Sequence, residues 1–226
     1  MTDTELADTL RTRLSAIETR IRDACDRAAR PRDAVTLVAV TKSVGLRVIR
    51  LLPSLGIFDV GENRPQEIRR RSSACADLPL RWHMIGHLQR NKIDAVVPRV
   101  VRIHAVDSQR LLDGLAPGTP PSLLQFNISG EASKYGFAHG EIPTVPPGLE
   151  IDGLMTMAPY EMQPEETRPV FRGLRELRDR LEGTWGRQLP QLSMGMSNDF
   201  EYAIGEGATI VRIGSTLFEG MPDADE

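Results

Sequence analysis

Eight short strand-like runs, the first of them β-branched and apolar, recur along this chain and constrain its fold more than any other feature. They are VTLVAV (35–40), IFDV (57–60), RWHMI (81–85), VRIHAV (101–106), SLLQFNI (122–128), LEIDGLMTM (149–157), PQLSM (190–194) and TIVRI (209–213). Polar, Arg/Glu-rich stretches of helical length separate several of them, notably 64–75, 108–115 and 164–182. LRVIRLLPSLG, after the first run, also has helical spacing, whereas the Gly/Pro-rich 129–148 connection makes a poor helix.

Strands and helices alternating in this way predict an α/β fold, and eight units in 226 residues predict a closed (β/α)8 barrel of TIM type over 35–218. An open doubly wound sheet is the alternative, weakened because no GxGxxG follows the first run. Ahead of the barrel, Leu6, Leu10, Leu14, Ile17, Ile21 and Ala24 recur every three or four residues, and Thr2 with Glu5 has capping-box spacing. An additional amphipathic helix is therefore expected within 1–30. With no linker, repeat or low-complexity segment, 1–226 is expected to be one domain.

Composition excludes some partners. Acidic residues outnumber basic ones, 31 to 28, so no general field draws the chain to nucleic acid or to an anionic membrane. The one basic cluster, Arg69-Arg70-Arg71, reads as a solvated helix face. Cys25 and Cys75 match no paired motif and are expected as free thiols of a reducing compartment. Without a signal-peptide pattern or a membrane-length apolar stretch, a cytoplasmic protein is expected.

In such a barrel the site is built at the carboxyl ends of the strands. There the chain carries Lys42, GEN (61–63), IGHLQRNK (85–92), VDS (106–108), NISGEASKYGF (127–137), MTMAP (155–159), SMGMSND (193–199) and RIGS (212–215). Lys42 has two readings: a lysine snorkelling to solvent, or a Schiff-base amine whose neutral form is favoured by the apolar barrel beside it. The last two loops also have two readings, as ordinary turns or as a phosphate cradle. In the cradle Gly195 and Gly214 allow close backbone approach, and Ser197 and Ser215 supply hydroxyls. Arg212, if it points inward, is a costly buried cation that needs a partner, and a ring nitrogen is one candidate. An arginine gives up no proton, so such a ring would be a poor electron sink. His83 and His87 straddle a strand end without a metal-site motif, His104 reads as an ordinary barrel residue, and Met155, Met157, Met194 and Met196 read as packing at the mouth.

VAVTKSV, VGENRPQE, WHMIGHLQRNK, VDS, NISGEASKYGF, GLMTMAP, LSMGMSNDFEYAI and VRIGSTLF together resemble the pyridoxal phosphate homeostasis proteins, which are similar to the amino-terminal barrel of alanine racemase. Arg64-Pro65 and Ser215 depart from the usual pattern, the serine keeping the hydroxyl. The resemblance implies a pyridoxal 5′-phosphate (PLP) cofactor held as an internal aldimine by Lys42. It also implies that Ser197, Gly214 and Ser215 hold its phosphate, that Arg212 meets its pyridine nitrogen, and that Asn63 lies near its ring. It further implies a mainly monomeric protein that buffers or delivers PLP without established turnover, with apo PLP-dependent enzymes and small amino acids as further partners. A racemase-like enzyme is the alternative. Racemisation needs a second proton acceptor besides Lys42, and Tyr135 and Tyr160 lie in loops expected near the mouth.

Overall fold

The computed structural model describes residues 1–131 and 135–223. Helix α1 (Asp3–Arg27) opens the chain, and its cap is the one expected: the Thr2 side chain accepts from the Glu5 amide while the Glu5 carboxylate accepts from the Thr2 amide. Its buried face is Leu6, Leu10, Ile17, Ile21, Ala24 and Cys25.

The strands then follow as β1 (Thr36–Val40), β2 (Asp59–Glu62), β3 (Arg81–Met84), β4 (Arg102–Val106), β5 (Ser122–Asn127), β6 (Phe137–Ala138), β7 (Ile151–Met155), β8 (Gln191–Ser193) and β9 (Ile210–Ile213). Every pairing is parallel. The order β4-β3-β2-β1-β9-β8-β7-β5 is closed by β4 pairing with β5, so eight strands make the expected barrel. The two-residue β6 pairs only along the end of β5 and stays outside the closed ring.

The connecting helices are α2 (Leu46–Ile49), α3 (Pro65–Ala74), α4 (Ile93–Val96), α5 (Gln109–Leu112), α6 (Arg168–Trp185), α7 (Phe200–Gly205) and α8 (Ser215–Phe218). Several are shorter than their polar spacers suggest. After β1 the helical spacing yields one α turn and then a 3₁₀ turn over Leu52–Leu55, because Pro53 has no amide hydrogen to continue the ladder. No helix lies between β5 and β7 among the described residues. The second strand also begins two residues later than its apolar run, at Asp59, and takes Gly61 and Glu62 into the barrel rather than leaving them in a loop.

Most of the core lies between the barrel and its helices, with α1 packed against α7 and α8. Arg20 pairs with Glu201 at 2.6 Å, and Arg13 donates to the carbonyls of Leu217 and Glu219 at 3.2 and 2.6 Å. A small second cluster, Val38, Ala105, Leu123, Met155 and Ile210, fills another part of the barrel. Both cysteines are buried and unbridged. Among the described residues no helix is long and apolar enough to cross a membrane.

If α1 is integral to the core, Ile17→Ala should lower the unfolding free energy by about 2–5 kcal/mol. Thr2→Ala, which removes only the cap, should cost about 1 kcal/mol. Urea denaturation of the two variants checks this, and equal small losses would mean that α1 rests loosely on the barrel.

Candidate functional site

Four neighbouring strands of the ring, β8-β9-β1-β2, carry the residues singled out from the sequence. Ser197 follows β8, Arg212 lies in β9 with Gly214 and Ser215 just beyond it, Lys42 follows β1, and Asn63 follows β2. The register pairs Val38 with Arg212 and Ala39 with Ile213, so the Lys42 turn and the Gly214 turn emerge side by side. A Cβ at position 214 would stand 3.3 Å from the Cβ of Val40, which shows how closely the two strand ends approach.

Thr41 anchors the lysine. Its amide donates to the Gly61 carbonyl at 3.0 Å, its hydroxyl to Glu62 Oε1 at 2.6 Å, and its carbonyl accepts from Arg71 Nη1 at 2.7 Å. Lys42 itself is exposed. Of the two readings of Lys42, its exposure agrees with a side chain that reaches solvent: the core fixes the backbone of the preceding residue and leaves the lysine side chain outside.

Arg71 was read as part of a solvated face, and the structure overturns that. Its side chain is buried, reaching Glu62 Oε1 at 2.7 Å and Glu67 Oε2 at 2.8 Å, whereas Arg69 and Arg70 are exposed. Burial pushes the Glu62 carboxyl up, and the Thr41 hydroxyl and the Arg71 charge oppose that. Its second oxygen has no partner among the described residues. Beside it, Asn63 is half-buried and touches the loop after β3, where a Cβ on Gly86 would come within 2.4 Å of the Asn63 carbonyl oxygen. Only glycine fits there. Pro65 opens α3 and Arg64 is extended before it, which gives the β2 loop its shape.

The last two loops converge. Buried Ser197 Oγ accepts from the amides of Gly214 and Thr216 at 3.2 and 3.4 Å, and Ser215 is exposed at the first position of α8. Gly195 has φ +91°, and a Cβ there would lie 2.6 Å from that of Ala203. Glycine at this position lets α7 pack closely against the loop.

Arg212 points inward and is buried, donating to Ser193 Oγ at 2.5 Å and to the Thr156 carbonyl at 3.0 Å. Burial pushes its guanidinium down to about 10, with the Asp199 carboxylate partly offsetting this, so it is charged at neutral pH. His83 and His104 are both buried and hydrogen-bonded to each other. His87 is partly exposed, with its Nδ1 on Asp107 Oδ2 at 2.5 Å and its ring stacked on Tyr135 at 4.7 Å. Ala132, Ser133 and Lys134, within the NISGEASKYGF stretch, lie outside the described residues.

The sequence reading missed the Thr41–Glu62–Arg71 anchor and the partners of His83 and His104. Strand parity offered a signal for the second group, since Asp59 with Gly61 and Arg81 with His83 sit two apart on paired strands. An exposed primary amine, a buried guanidinium and a cluster of hydroxyl and amide donors together suit an anionic aldehyde carrying a ring acceptor.

The chain matches the family described as "Alanine racemase, N-terminal domain" over residues 12–222. It is similar to the pyridoxal phosphate homeostasis protein of Aquifex aeolicus, with 42% identity over 91% of this chain and 96% of the relative. It is likewise similar to that of Pseudomonas aeruginosa, with 39% identity over 93% and 95%. Among solved structures, PipY of Synechococcus elongatus with PLP bound superposes with a TM-score of 0.77 and 30% identity, covering 92% of this chain and 99% of that one.

Removing Arg71 while leaving Glu62 buried should cost about 3–5 kcal/mol. Arg69→Ala should stay within about 0.5 kcal/mol of the parent. Chemical denaturation distinguishes them, and similar values would remove the anchor from the account. A second prediction concerns acid. Burial raises the Asp59 carboxyl, but hydrogen bonds from Arg81 and His83 outweigh this and hold it at about 2, below its ordinary value of 3.8. Its stabilisation is complete above the ordinary value and is lost as pH falls toward the folded one. The stability gap between the parent and Asp59→Asn should therefore close on acidification through that window.

Proposed function

Because this chain belongs to the pyridoxal phosphate homeostasis protein family of alanine-racemase-like barrels, we propose that it binds PLP at the β8-β9-β1-β2 mouth and serves PLP homeostasis by buffering or delivering the cofactor. When bound, PLP supplies a reactive aldehyde on an aromatic ring. Lys42 would supply the amine that holds this aldehyde. Ser197, Gly214 and Ser215 receive the phosphate, helped by the Thr216 amide. Arg212 donates to the pyridine nitrogen, and Asn63 borders the ring. A guanidinium donor there would leave that nitrogen without a proton, which would make the ring a poor electron sink and suits storage.

The observation that carries the reading is the arrangement of these groups on one continuous arc of the barrel, with buried Arg212 aimed inward. Stoichiometric PLP should give a visible absorbance band, and borohydride reduction followed by peptide mass spectrometry should locate the cofactor on Lys42. Lys42→Ala should lose the band. Labelling spread over other lysines, or no uptake, would defeat the proposal.

One feature favours a racemase-like reading. The His87–Asp107 pair forms an oriented imidazole, and Tyr135 stacks on it instead of standing free as a second base. Heavy-water exchange of the alanine α-proton tests this. Storage predicts no exchange above that of free PLP, and exchange that requires both Lys42 and His87 would establish the enzyme instead.

A further inference from the structure

Beneath Arg212 a line of polar side chains crosses the barrel. Arg212 Nη1 donates to Ser193 Oγ at 2.5 Å, Ser193 Oγ lies 2.8 Å from His104 Nδ1, His104 Nε2 lies 2.9 Å from His83 Nδ1, and His83 Nε2 lies 3.0 Å from Asp59 Oδ1. Asp59 is held in turn by the Arg81 fork. Strands β5 and β7 stand between β4 and β8 in the ring, so the His104–Ser193 bond spans the lumen.

The direction of these bonds follows from proton counting. Asp59 is a carboxylate and only accepts, so His83 must carry its hydrogen on Nε2. If His83 is neutral, its Nδ1 then accepts, and His104 must donate from Nε2. A neutral His104 accepts in turn at Nδ1, which the Ser193 hydroxyl alone can satisfy, and Ser193 Oγ is left free to accept from Arg212. Burial disfavours the charged form of both imidazoles, and Arg102, Arg81 and Arg212 nearby add to this, while Asp59 opposes it only at His83. The self-consistent arrangement runs one way, from guanidinium to carboxylate. Reversing it would leave His83 without a hydrogen for Asp59.

We propose that Ser193 and His104 are positioning residues for Arg212: their one-way hydrogen-bond relay to Asp59 fixes the guanidinium plane, so that its remaining N–H groups are presented in one orientation to the ring nitrogen of a bound pyridine cofactor. The last clause rests on the PLP reading above, whereas the relay and its hold on Arg212 do not. Ser193 is thus placed to accept from arginine because it is obliged to donate to histidine.

Nitrogen-15 NMR of the protein without added cofactor reads the relay directly. Both imidazoles should be protonated on Nε2 only, and the Arg212 side-chain nitrogens should give separate, slowly exchanging signals. A His104 protonated on Nδ1 would overturn the relay, and this needs no variant. In Ser193→Ala and in His104→Gln the Arg212 signals should collapse to the averaged guanidinium position, and Ser193→Thr, which keeps the hydroxyl, should restore them. Unchanged Arg212 signals in both disabling variants would refute the positioning role. With PLP added, both should still become labelled on Lys42 but reach half-saturation at roughly tenfold higher cofactor, the loss of about one hydrogen bond to a charged group. Half-saturation and absorbance band equal to the parent's would refute the consequence for the ring. Failure of the parent to take up PLP would remove the proposed function while the NMR result still judged the relay.

Discussion

The parallel pairing of β1 with β9 joins the first strand of the barrel to the last, and the mouth has its shape because of it. Closure leaves no strand edge unpaired in the ring and fixes the register at which Lys42 and the 212–215 turn leave their strands. Residues far apart in the chain become neighbours through backbone hydrogen bonds rather than through side-chain contacts. The arc is therefore as rigid as the sheet. The flanking devices, Thr41 on Glu62 and Ser197 on the α8 amides, only refine positions that the ladder has already set.

The barrel interior is divided in chemistry. One part is apolar, with Val38, Leu123, Met155 and Ile210. The other holds buried His83, His104, Ser193 and Arg212, with half-buried Asp59 at its end, which is expensive to bury unless each donor finds an acceptor. The hydrogen bonds described above meet that condition from Arg212 down to the Arg81–Asp59 pair near the opposite end of the barrel. A charged guanidinium below the mouth is sustained by a line of partners and by the Asp199 carboxylate, not by a single counter-ion.

Much of this was legible in the sequence. The eight runs were readable because a strand covered on both sides leaves an unbroken apolar signature, and α1 because its spacing and cap agree. The rule that barrel sites lie at strand ends brought Lys42, Ser197, Arg212, Gly214 and Ser215 forward by position, whereas Asn63 was singled out by the family resemblance. What escaped was pairwise. Nothing local tells that Arg71 turns inward while Arg69 and Arg70 do not, since the decision depends on a carboxylate delivered by β2. Glu62 was hidden because its strand extends past the apolar run, and His104 because parity gives a side chain's face and not its partner. The exposure of Lys42 stayed one of two open readings, since an apolar strand before a lysine does not say whether its tip is covered.

Helix α1 lies across α7 and α8, the helices that follow the two loops where Ser197 meets the Gly214 and Thr216 amides. Arg13 clips onto the trailing carbonyls of α8, and Arg20 grips Glu201 on α7. The opening segment of the chain acts as a splint laid behind its final turns. Stiffness of the Gly214 and Thr216 amides is consequently set from the outside of the molecule, by a helix that hydrogen-bonds to neither of them.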